Sequence, residues 1–417
     1  MLHAQAHTLK PPSERSITMP TSLPVRRRQL LAGTAGAIAA APLATWSGVA
    51  AAQAKPLPAY AAWKDADSLI VHSSSTLETK RSAMGSSLIT PSDRLYIRNN
   101  LPAPPEAIVA DRDAWQVAFD GVSTPATLTL GQLKAIDVTT VATVLQCSGN
   151  GRGFFPHKPS GTPWKVGAAG CVLWSGVPLR SVIEALGGSR SGMLYLTGTG
   201  GEKLPEGVDP LSVVVERSVP IAALKDAVLA WEMNGAPLSL AHGGPLRLVL
   251  PGYQGVNNVK YVKRIALSAT ESQAKIMSHG YRMTPMGEKA NPNQASVLLM
   301  NVKSWINSPL PVEGGKLGAG TTQILGVAFS GAGPIKRVEV SVDGGKTWRD
   351  AKLVGPDLGP FAWRQFVLQA NLPAGTHVLA SRATDAAGNV QPQQREENTA
   401  GYGNNSWADH SLSVVTA

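Results

Sequence analysis

The sequence predicts a mixed α+β domain followed by a β-sandwich of immunoglobulin type. Between residues 92 and 272, short apolar runs such as 139–145 and 246–250 alternate with Gly/Pro turns and short helical patterns such as 179–186. From Gly314 onward, apolar and polar residues alternate in strands joined by tight turns. With 43% hydrophobic residues, the chain of 417 residues has enough apolar material for two domains.

Residues 1–54 carry an export pattern. The pair Arg27-Arg28 precedes a weakly apolar run of small residues, 32–52, and Ala52-Gln53-Ala54 has the form of a signal-peptidase site. Pro42 and the many Gly and Ala residues make the run a poor bilayer-spanning helix. The pattern predicts a twin-arginine signal peptide over 1–54, and therefore a protein that folds before export to the periplasm.

The remaining chain is expected to divide near residue 295. Residues 55–90 form a lead-in with few turn signals, the first domain covers 55–295, and a crossing segment over 275–313 contains two proline breaks. The second domain, 296–417, shows alternating strands at 323–329, 335–342, 361–368 and 377–384. Asp343-Gly344-Gly345 gives it a hairpin turn signal.

Charge argues against two classes of partner. The formal net charge is +10, of which residues 1–54 carry +4, leaving +6 for the rest. Outside the export pattern there is no dense Lys/Arg run with interleaved aromatics and no other long apolar run, so neither a nucleic-acid partner nor a membrane span is expected. The modest positive charge fits an anionic substrate or an acidic redox partner.

Cys147 is the strongest candidate functional residue. One of only two cysteines, it ends the apolar run 139–145 and opens a Gly/Asn-rich loop that leads to Arg152. A thiolate at the rim of a sheet near a cation is available to a metal. If Cys147 binds metal, Cys171 has no disulfide partner.

Residues Gln146–Arg152 match the Gln-Cys-(Ser/Ala)-Gly-Asn-x-Arg segment that supplies the molybdenum-ligating cysteine of the sulfite oxidase family. From about Leu88 to the C-terminus the chain resembles this family, in blocks that keep the family's order: Arg94–Pro102, Trp231–Gly235, His242–Arg247, Val259-Lys260, Tyr281 and, in the second domain, Ser330–Trp348.

The resemblance implies a molybdopterin-binding catalytic domain and a C-terminal domain that makes a homodimer contact. It implies Cys147 as the molybdenum ligand. The residues implied to hold the pyranopterin (molybdopterin) cofactor are Arg98, Asn100, Asp209, His242, Arg247 and Lys260. Those implied to act on the substrate are Arg98, Arg152 and Tyr281.

Two departures from the family pattern concern the substrate. Asn100 stands where the family has a histidine, and Ala400 where it has an arginine. A missing charge-assisted hydrogen bond costs about 1.5–3 kcal/mol unless another cation replaces it. His157 and Lys158 are candidates for that replacement, and the identity of the substrate stays open.

The resemblance implies periplasmic oxidation of sulfite to sulfate. No Cys-x-x-Cys-His haem signal is present, so the expected electron acceptor is a separate c-type cytochrome. Two enzymatic alternatives are a sulfane-sulfur dehydrogenase subunit of a thiosulfate-oxidising complex and a periplasmic sulfoxide reductase. A non-catalytic binding protein is a third alternative, against which the intact Cys147, Arg152 and Tyr281 argue; a metal assay separates it from the enzymes.

Overall fold

β-Strands dominate the residues that the computed structural model describes, which are 55–85, 87–311 and 315–417. The predicted signal peptide, 1–54, lies outside them. The strands in chain order are β1 (Leu69–Ser73), β2 (Thr76–Thr79), β3 (Ile97–Arg98), β4 (Gln116–Asp120), β5 (Ala126–Thr129), β6 (Thr139–Gln146), β7 (Ala169–Pro178), β8 (Tyr195–Gly200), β9 (Glu216–Pro220), β10 (Val228–Met233), β11 (Ala236–Pro237), β12 (Arg247–Val249), β13 (Val262–Ser268), β14 (Lys303–Ser308), β15 (Gly320–Phe329), β16 (Ile335–Ser341), β17 (Arg349–Asp350), β18 (Lys352–Val354), β19 (Arg364–Leu372), β20 (Gly375–Asp385) and β21 (Leu412–Thr416).

Helices in the described residues are short. The α-helices are α1 (Leu130–Lys134), α2 (Leu179–Ala185), α3 (Pro210–Val213) and α4 (Lys275–Ser278). The 3-10 turns are Ala59–Ala61, Ala66–Ser68, Arg81–Ala83, Glu106–Val109, Arg152–Phe154, Ile221–Lys225, Leu240–His242 and Gly255–Asn257. None of these helices is long and apolar enough to cross a membrane.

Three sheets build the first part of the molecule. One has the order β11-β10-β7-β6 with β12 also paired to β10, the second has the order β5-β4-β13-β8-β9, and a small third sheet is β1-β2-β3. Apolar side chains of the second sheet pack with α2 and β10 in one core that contains Phe119, Val182, Leu229 and Ile265. The β6–β7 pairing runs from Thr139↔Gly176 to Gln146↔Ala169 and so ends next to Cys147.

Two four-stranded sheets, β14-β15-β19-β18 and β17-β16-β20-β21, form the β-sandwich. Their inner faces enclose Ile324, Val338, Phe366 and Leu379. After β16 the chain turns through Gly344 and Gly345, which have φ of 76° and 89°, values that favour glycine. The predicted fold class, a mixed α+β domain followed by a sandwich, is confirmed.

A further apolar cluster joins the sheet of β6 and β7 to the sandwich. It contains Val144 and Cys171 from the first part and Trp305, Phe329 and Trp363 from the second. The described residues therefore form one unit. This shared core lies directly behind the strand that ends at Cys147.

The lead-in over 55–90 is more regular than its sequence indicates. It contains β1 and β2, joined by a tight turn after Ser73, and β2 pairs with β3 so that Thr76 lies opposite Arg98. The sequence signal was weak because this turn is made of serines rather than of Gly or Pro.

Candidate active site

Cys147 follows β6 at a point where hydrogen bonds hold the chain on both sides. Its N–H donates to the carbonyl of Ala168 at 2.9 Å, which extends the β6–β7 ladder by one residue. Asn150 closes the next turn, because its N–H donates to the Cys147 carbonyl at 2.9 Å and its Nδ2 donates to Gln146 Oε1 at 3.0 Å. The thiol is thereby fixed at the rim of the sheet.

Two adjoining cavities meet at Cys147. The inner cavity is the more enclosed of the two, and the outer cavity is a wider cleft. The residues that line both are Arg98, Asn99, Asn100, Cys147 and Tyr281. Of the other predicted residues, Arg152 lines the outer cleft, and three line the inner cavity: His242, Arg247 and Lys260.

Main-chain carbonyls anchor two cations of the inner cavity. Arg247 donates to the carbonyls of Asn258 at 3.2 Å and His242 at 3.0 Å, and Lys260 donates to the carbonyl of Ala241 at 2.6 Å. Burial lowers the pKa of Arg247 to about 10 and lowers the pKa of Lys260 well below its usual value. An anion in the cavity would offset this effect by favouring the charged forms.

His242 is buried at the end of a 3-10 turn and lines the same cavity. Burial, followed by the nearby Lys64 and Lys260 charges, lowers its pKa well below the usual value, so the imidazole is neutral. Gly243 follows with φ of 102°, and a Cβ there would lie 2.8 Å from Lys260 Cγ. The turn therefore brings His242 and Lys260 together only because residue 243 is glycine.

Several polar atoms on the inner wall are buried without a hydrogen-bond partner among the described residues. They are Asn99 Nδ2, Ser148 Oγ, Glu202 Oε2 and His242 Nε2. Buried polar atoms are normally paired, so a cluster of unpaired ones indicates a polar ligand. Arg98, Arg247 and Lys260 line the same cavity, so the unpaired atoms and these cations together fit a pterin and its phosphate.

Cys147 is an isolated protein donor for a metal. No group of three or more His, Cys, Asp or Glu side chains capable of holding a metal ion is found in the described part of the chain. A metal at Cys147 would therefore take most of its ligands from a non-protein group. The pyranopterin dithiolene is such a group, and the adjoining inner cavity has the lining to hold it.

Arg98 differs from the inner cations because its guanidinium makes no side-chain hydrogen bond or ion pair with any described residue. Burial lowers its pKa, but interactions with Tyr281 and Cys147 that favour the charged form outweigh this effect and leave the pKa above its usual value. A permanent, unpaired cation thus stands on the wall shared by the two cavities, beside the thiol.

Arg152 is held more firmly. Its Nε donates to the carbonyl of Ala400 at 2.9 Å and its Nη1 to the carbonyl of Thr162 at 3.2 Å. A Cβ at Gly149 would lie 2.6 Å from Arg152 Cζ, so the glycine of the cysteine loop makes room for the guanidinium. Arg152 lines the outer cleft.

Tyr281 presents its hydroxyl to the shared wall. The hydroxyl donates to Asn100 Oδ1 at 3.2 Å, and the ring stacks on Tyr402 with 5.1 Å between centroids. Asn100 therefore contacts the tyrosine that the resemblance implicates in catalysis. The outer cleft combines two arginines, this hydroxyl and the thiol of Cys147.

All predicted site residues except Asp209 line one of the two cavities. Asp209 is exposed and caps α3, where its Oδ1 accepts from the N–H of Leu211 at 3.1 Å. The cap uses only Oδ1, and the role of Asp209 in holding the pterin stays a prediction. His157 and Lys158 are exposed and line neither cavity, so they do not replace the cation missing at Ala400.

Several residues of the cavity walls were not predicted, and three of them carry polar or aromatic groups that bear on the site. Glu202 lines the inner cavity, where burial raises its pKa to about 7, and no motif marks this acidic residue at the end of β8. His72, paired with Glu78 at 2.8 Å, lines the outer cleft from the lead-in. Tyr402 could have been found, because it stands two positions after Ala400 in a segment that the resemblance had already singled out.

Cys171 has a different environment from Cys147. It lies on β7 opposite Val144, fully buried in the apolar cluster behind the site. Burial raises the pKa of its thiol to about 12, so it is a neutral packing residue. Both cysteines are free of disulfides.

The fold and the two cavities define a molybdenum-cofactor oxidoreductase with an appended β-sandwich. Residues 103–276 match the oxidoreductase molybdopterin binding domain, and residues 294–415 match the Mo-co oxidoreductase dimerisation domain. Sulfite oxidase of Arabidopsis thaliana is 32% identical over 357 residues, which cover 79% of this chain and 89% of that protein. The chain belongs to the sulfite oxidase family, as its motifs indicate.

Other members share the architecture with different lengths or substrates. Human mitochondrial sulfite oxidase is 33% identical over 73% of this chain, a match that spans 57% of the human protein. The sulfane dehydrogenase SoxCD from Paracoccus pantotrophus superimposes with a TM-score of 0.68 at 26% identity, covering 83% of this chain and 89% of that chain. The matches thus support the molybdenum cofactor, but the matched proteins are named for two different activities, sulfite oxidation and sulfane dehydrogenation.

Proposed function

We propose that this protein is a periplasmic sulfite dehydrogenase that oxidises sulfite to sulfate and passes the electrons to a c-type cytochrome. The observation that carries the proposal is the Arg98 guanidinium, which has no partner among the described residues and stands beside Cys147 on the wall shared by both cavities. A preorganised cation at that point offsets the charge of a small oxyanion. The sulfite oxidases that the chain matches support sulfite as that anion.

The chain's own residues would hold the cofactor in the inner cavity. Cys147 would ligate molybdenum through its thiolate, and Arg247, Lys260 and neutral His242 would hold the pterin and its phosphate. Bound there, the cofactor supplies two-electron oxygen-transfer chemistry that side chains lack. Glu202 would accept from N–H groups of the pterin with the Oε2 that has no partner among the described residues.

The outer cleft would bind the substrate. Arg98 and Arg152 would offset the negative charge of sulfite. The Tyr281 hydroxyl, which donates to Asn100 Oδ1 in this structure, would donate a hydrogen bond to the substrate instead. Conversion of sulfite and water to sulfate releases two electrons and two protons. The sequence has no Cys-x-x-Cys-His haem motif, which supports a separate cytochrome as the acceptor of these electrons.

Export, acceptor and assembly belong to the same proposal. The twin-arginine pattern over 1–54 supports the periplasm, where c-type cytochromes are available. The net charge of +6 on residues 55–417 would favour encounter with an acidic partner. The match of residues 294–415 to a dimerisation domain supports a homodimer formed through the sandwich.

A second candidate is oxidation of sulfane sulfur. It is supported by the likeness to the sulfane dehydrogenase SoxCD, which covers 83% of this chain. It is also supported by Ala400, because a sulfite site with one cation fewer than the family pattern binds its anion less well. Arg152 donates to the carbonyl of Ala400, but Arg152 is already part of the family pattern and so does not replace the arginine that is missing at position 400.

Stopped-flow mixing of the molybdenum-loaded protein with sulfite or with thiosulfate, under argon, separates the two candidates. We expect sulfite to reduce the protein, ferricytochrome c to reoxidise it, and this second rate to fall with ionic strength. Reduction by thiosulfate alone would favour the second candidate. Rapid reoxidation by oxygen would make the protein an oxidase, and reoxidation of dithionite-reduced protein by methionine sulfoxide would make it a reductase.

A further inference from the structure

Tyr281 stands in a column of four side chains that begins in the interior and ends at the outer cleft. The rings of Tyr281 and Tyr402 stack at 5.1 Å with 16° between their planes. Arg152 Cζ lies 5.2 Å from the Tyr402 ring centroid, and Arg217 Cζ lies 5.6 Å from the Tyr281 centroid. We call the set Arg217, Tyr281, Tyr402 and Arg152 the Arg–Tyr column.

Arg217 at the inner end is an unusual buried cation. Its side chain on β9 is only 1% exposed and donates to Asn257 Oδ1 at 3.1 Å, the Ile276 carbonyl at 2.8 Å and Ser296 Oγ at 2.8 Å. All three acceptors are neutral, and no carboxylate among the described residues forms an ion pair with it. Burial lowers its pKa to about 10, so it remains charged at neutral pH.

A buried cation without an ion-pair partner is costly, and the face of an aromatic ring is one of the few neutral groups that attract it. The three hydrogen bonds fix the guanidinium, and the Tyr402 ring covers one face of Tyr281. The Tyr281 ring is therefore in contact with an anchored guanidinium and with a second aromatic ring.

The backbone of Tyr281 agrees with this reading. Its φ is 51°, a left-handed conformation that a bulky residue adopts only when the surroundings impose it. The result is a hydroxyl held against Asn100 on the wall beside Cys147.

We infer that Arg217 and Tyr402 are positioning residues for Tyr281. Neither needs to touch the substrate for this purpose, because the column fixes the ring and the ring fixes the hydroxyl. The inference rests on the catalytic role given to Tyr281 in the proposed function. It also gives a role to the segment with Ala400, which lacks the pattern's arginine but contributes the ring of Tyr402.

The first test reads the position of Tyr281 without substrate or turnover. Fluorotyrosine labelling gives one fluorine NMR signal for each of the seven tyrosines, and Tyr281→Phe assigns the relevant one. We expect Arg217→Gln and Tyr402→Leu to shift or broaden the Tyr281 signal. Arg217→Lys should restore it in part, and Tyr402→Phe, which keeps the ring, should leave it close to the wild type.

The control removes a cation from a distant ring. Arg382 Cζ lies 4.4 Å from the Trp348 centroid in the sandwich, so Arg382→Gln deletes a similar pair away from the site. It should leave the Tyr281 signal unchanged. An unaltered Tyr281 signal in both Arg217→Gln and Tyr402→Leu overturns the inference.

A double-mutant cycle with sulfite tests whether Arg217 acts through Tyr281. Because small misplacements of a catalytic group are costly, we expect Arg217→Gln to lower kcat about tenfold or more at unchanged molybdenum content. Combined with Tyr281→Phe it should cause no further loss, whereas independent, additive losses contradict the inference. If sulfite does not reduce even the wild type, the proposed function fails, while the NMR experiment still tests the column.

Discussion

The inner cavity and the outer cleft share a wall, and the cation on that wall, Arg98, is held differently from the other three. In the inner cavity, Arg247 and Lys260 are tied to main-chain carbonyls. In the outer cleft, Arg98 has no partner among the described residues, and Arg152 gives Nε and Nη1 to carbonyls. Arg152 is thus anchored as Arg247 is, and Arg98 is the cation left free to bind an anion that enters and leaves.

Sequence departures follow the same division. The blocks that line the inner cavity match the family pattern, as the segment His242–Arg247 illustrates. Of the two departures, Asn100 lies on the wall shared by both cavities, where it contacts Tyr281, and the carbonyl of Ala400 contacts Arg152 of the outer cleft. The departures therefore concern the substrate side more than the inner cavity, and each variant below tests which cavity its residue serves.

The largest effect is expected at Cys147, where the cavities meet. Cys147→Ser should give a folded protein with little or no turnover, because a hydroxyl is a much poorer ligand for this metal than a thiolate. Cys171→Ser is the matched control, since that thiol is neutral and buried in the apolar cluster, and it should keep its activity per molybdenum. Sulfite turnover and metal content together check both; full activity in Cys147→Ser with molybdenum bound would refute the ligand assignment.

The next largest effect should come from the inner cavity. Arg247→Gln removes the guanidinium bound to the carbonyls of His242 and Asn258, and a lost charge-assisted hydrogen bond costs about 1.5–3 kcal/mol. We expect the molybdenum and pterin content after dialysis to fall about tenfold or more, with the sulfite KM of the remaining loaded protein unchanged. Arg190→Gln, at an exposed position, is the control.

Most of the fold could be predicted because its signals are local. Alternating strands such as 323–329 and the turn at Asp343-Gly344-Gly345 predict β15, β16 and the link after them. The sheet of β1, β2 and β3 could not be predicted, since β3 joins through pairing between distant residues and the β1–β2 turn is made of serines. Strand ends and pairings of this kind depend on tertiary contacts.

The candidate site was predictable where a motif carried it. Cys147, His242 and Arg247 stand in such motifs. Glu202 and His72 belong to no motif and line the cavities only because the fold brings them there. Asp209 lines neither cavity and caps α3, so its predicted contact with the pterin stays a prediction. Sequence spacing does not tell a capping carboxylate from one that faces a cavity.

A smaller effect is expected in the outer cleft. Arg98→Gln should raise the sulfite KM about 10- to 150-fold, the equivalent of about 1.5–3 kcal/mol, because this guanidinium is free to bind the anion. Arg152→Gln should raise KM less, since two of its nitrogens already donate to Ala400 and Thr162. Kinetics per molybdenum test both variants. If Arg152→Gln is largely free of cofactor while its loaded fraction has normal kinetics, Arg152 binds the cofactor rather than the substrate.

The smallest effect concerns Lys303, a cation behind both cavities. It lies on β14, is 1% exposed, and donates to the carbonyl of Asn150 in the cysteine loop at 3.2 Å. Burial lowers its pKa from 10.5 to about 7 in the folded protein. Between those values the unfolded chain binds a proton that the folded chain lacks, so this group makes the free energy of unfolding rise with pH from about 7 to 10.5.

Lys303→Met should therefore flatten the pH dependence of stability rather than change catalysis directly. One such group contributes at most about 1.4 kcal/mol per pH unit, so urea unfolding of wild type and variant at pH 7, 8 and 9 should show curves that diverge in slope. Lys336→Met, at an exposed position on β16, should follow the wild type. Parallel curves for Lys303→Met and wild type would mean that Lys303 stays charged in the fold, so that the carbonyl of Asn150 in the cysteine loop accepts from a buried ammonium ion.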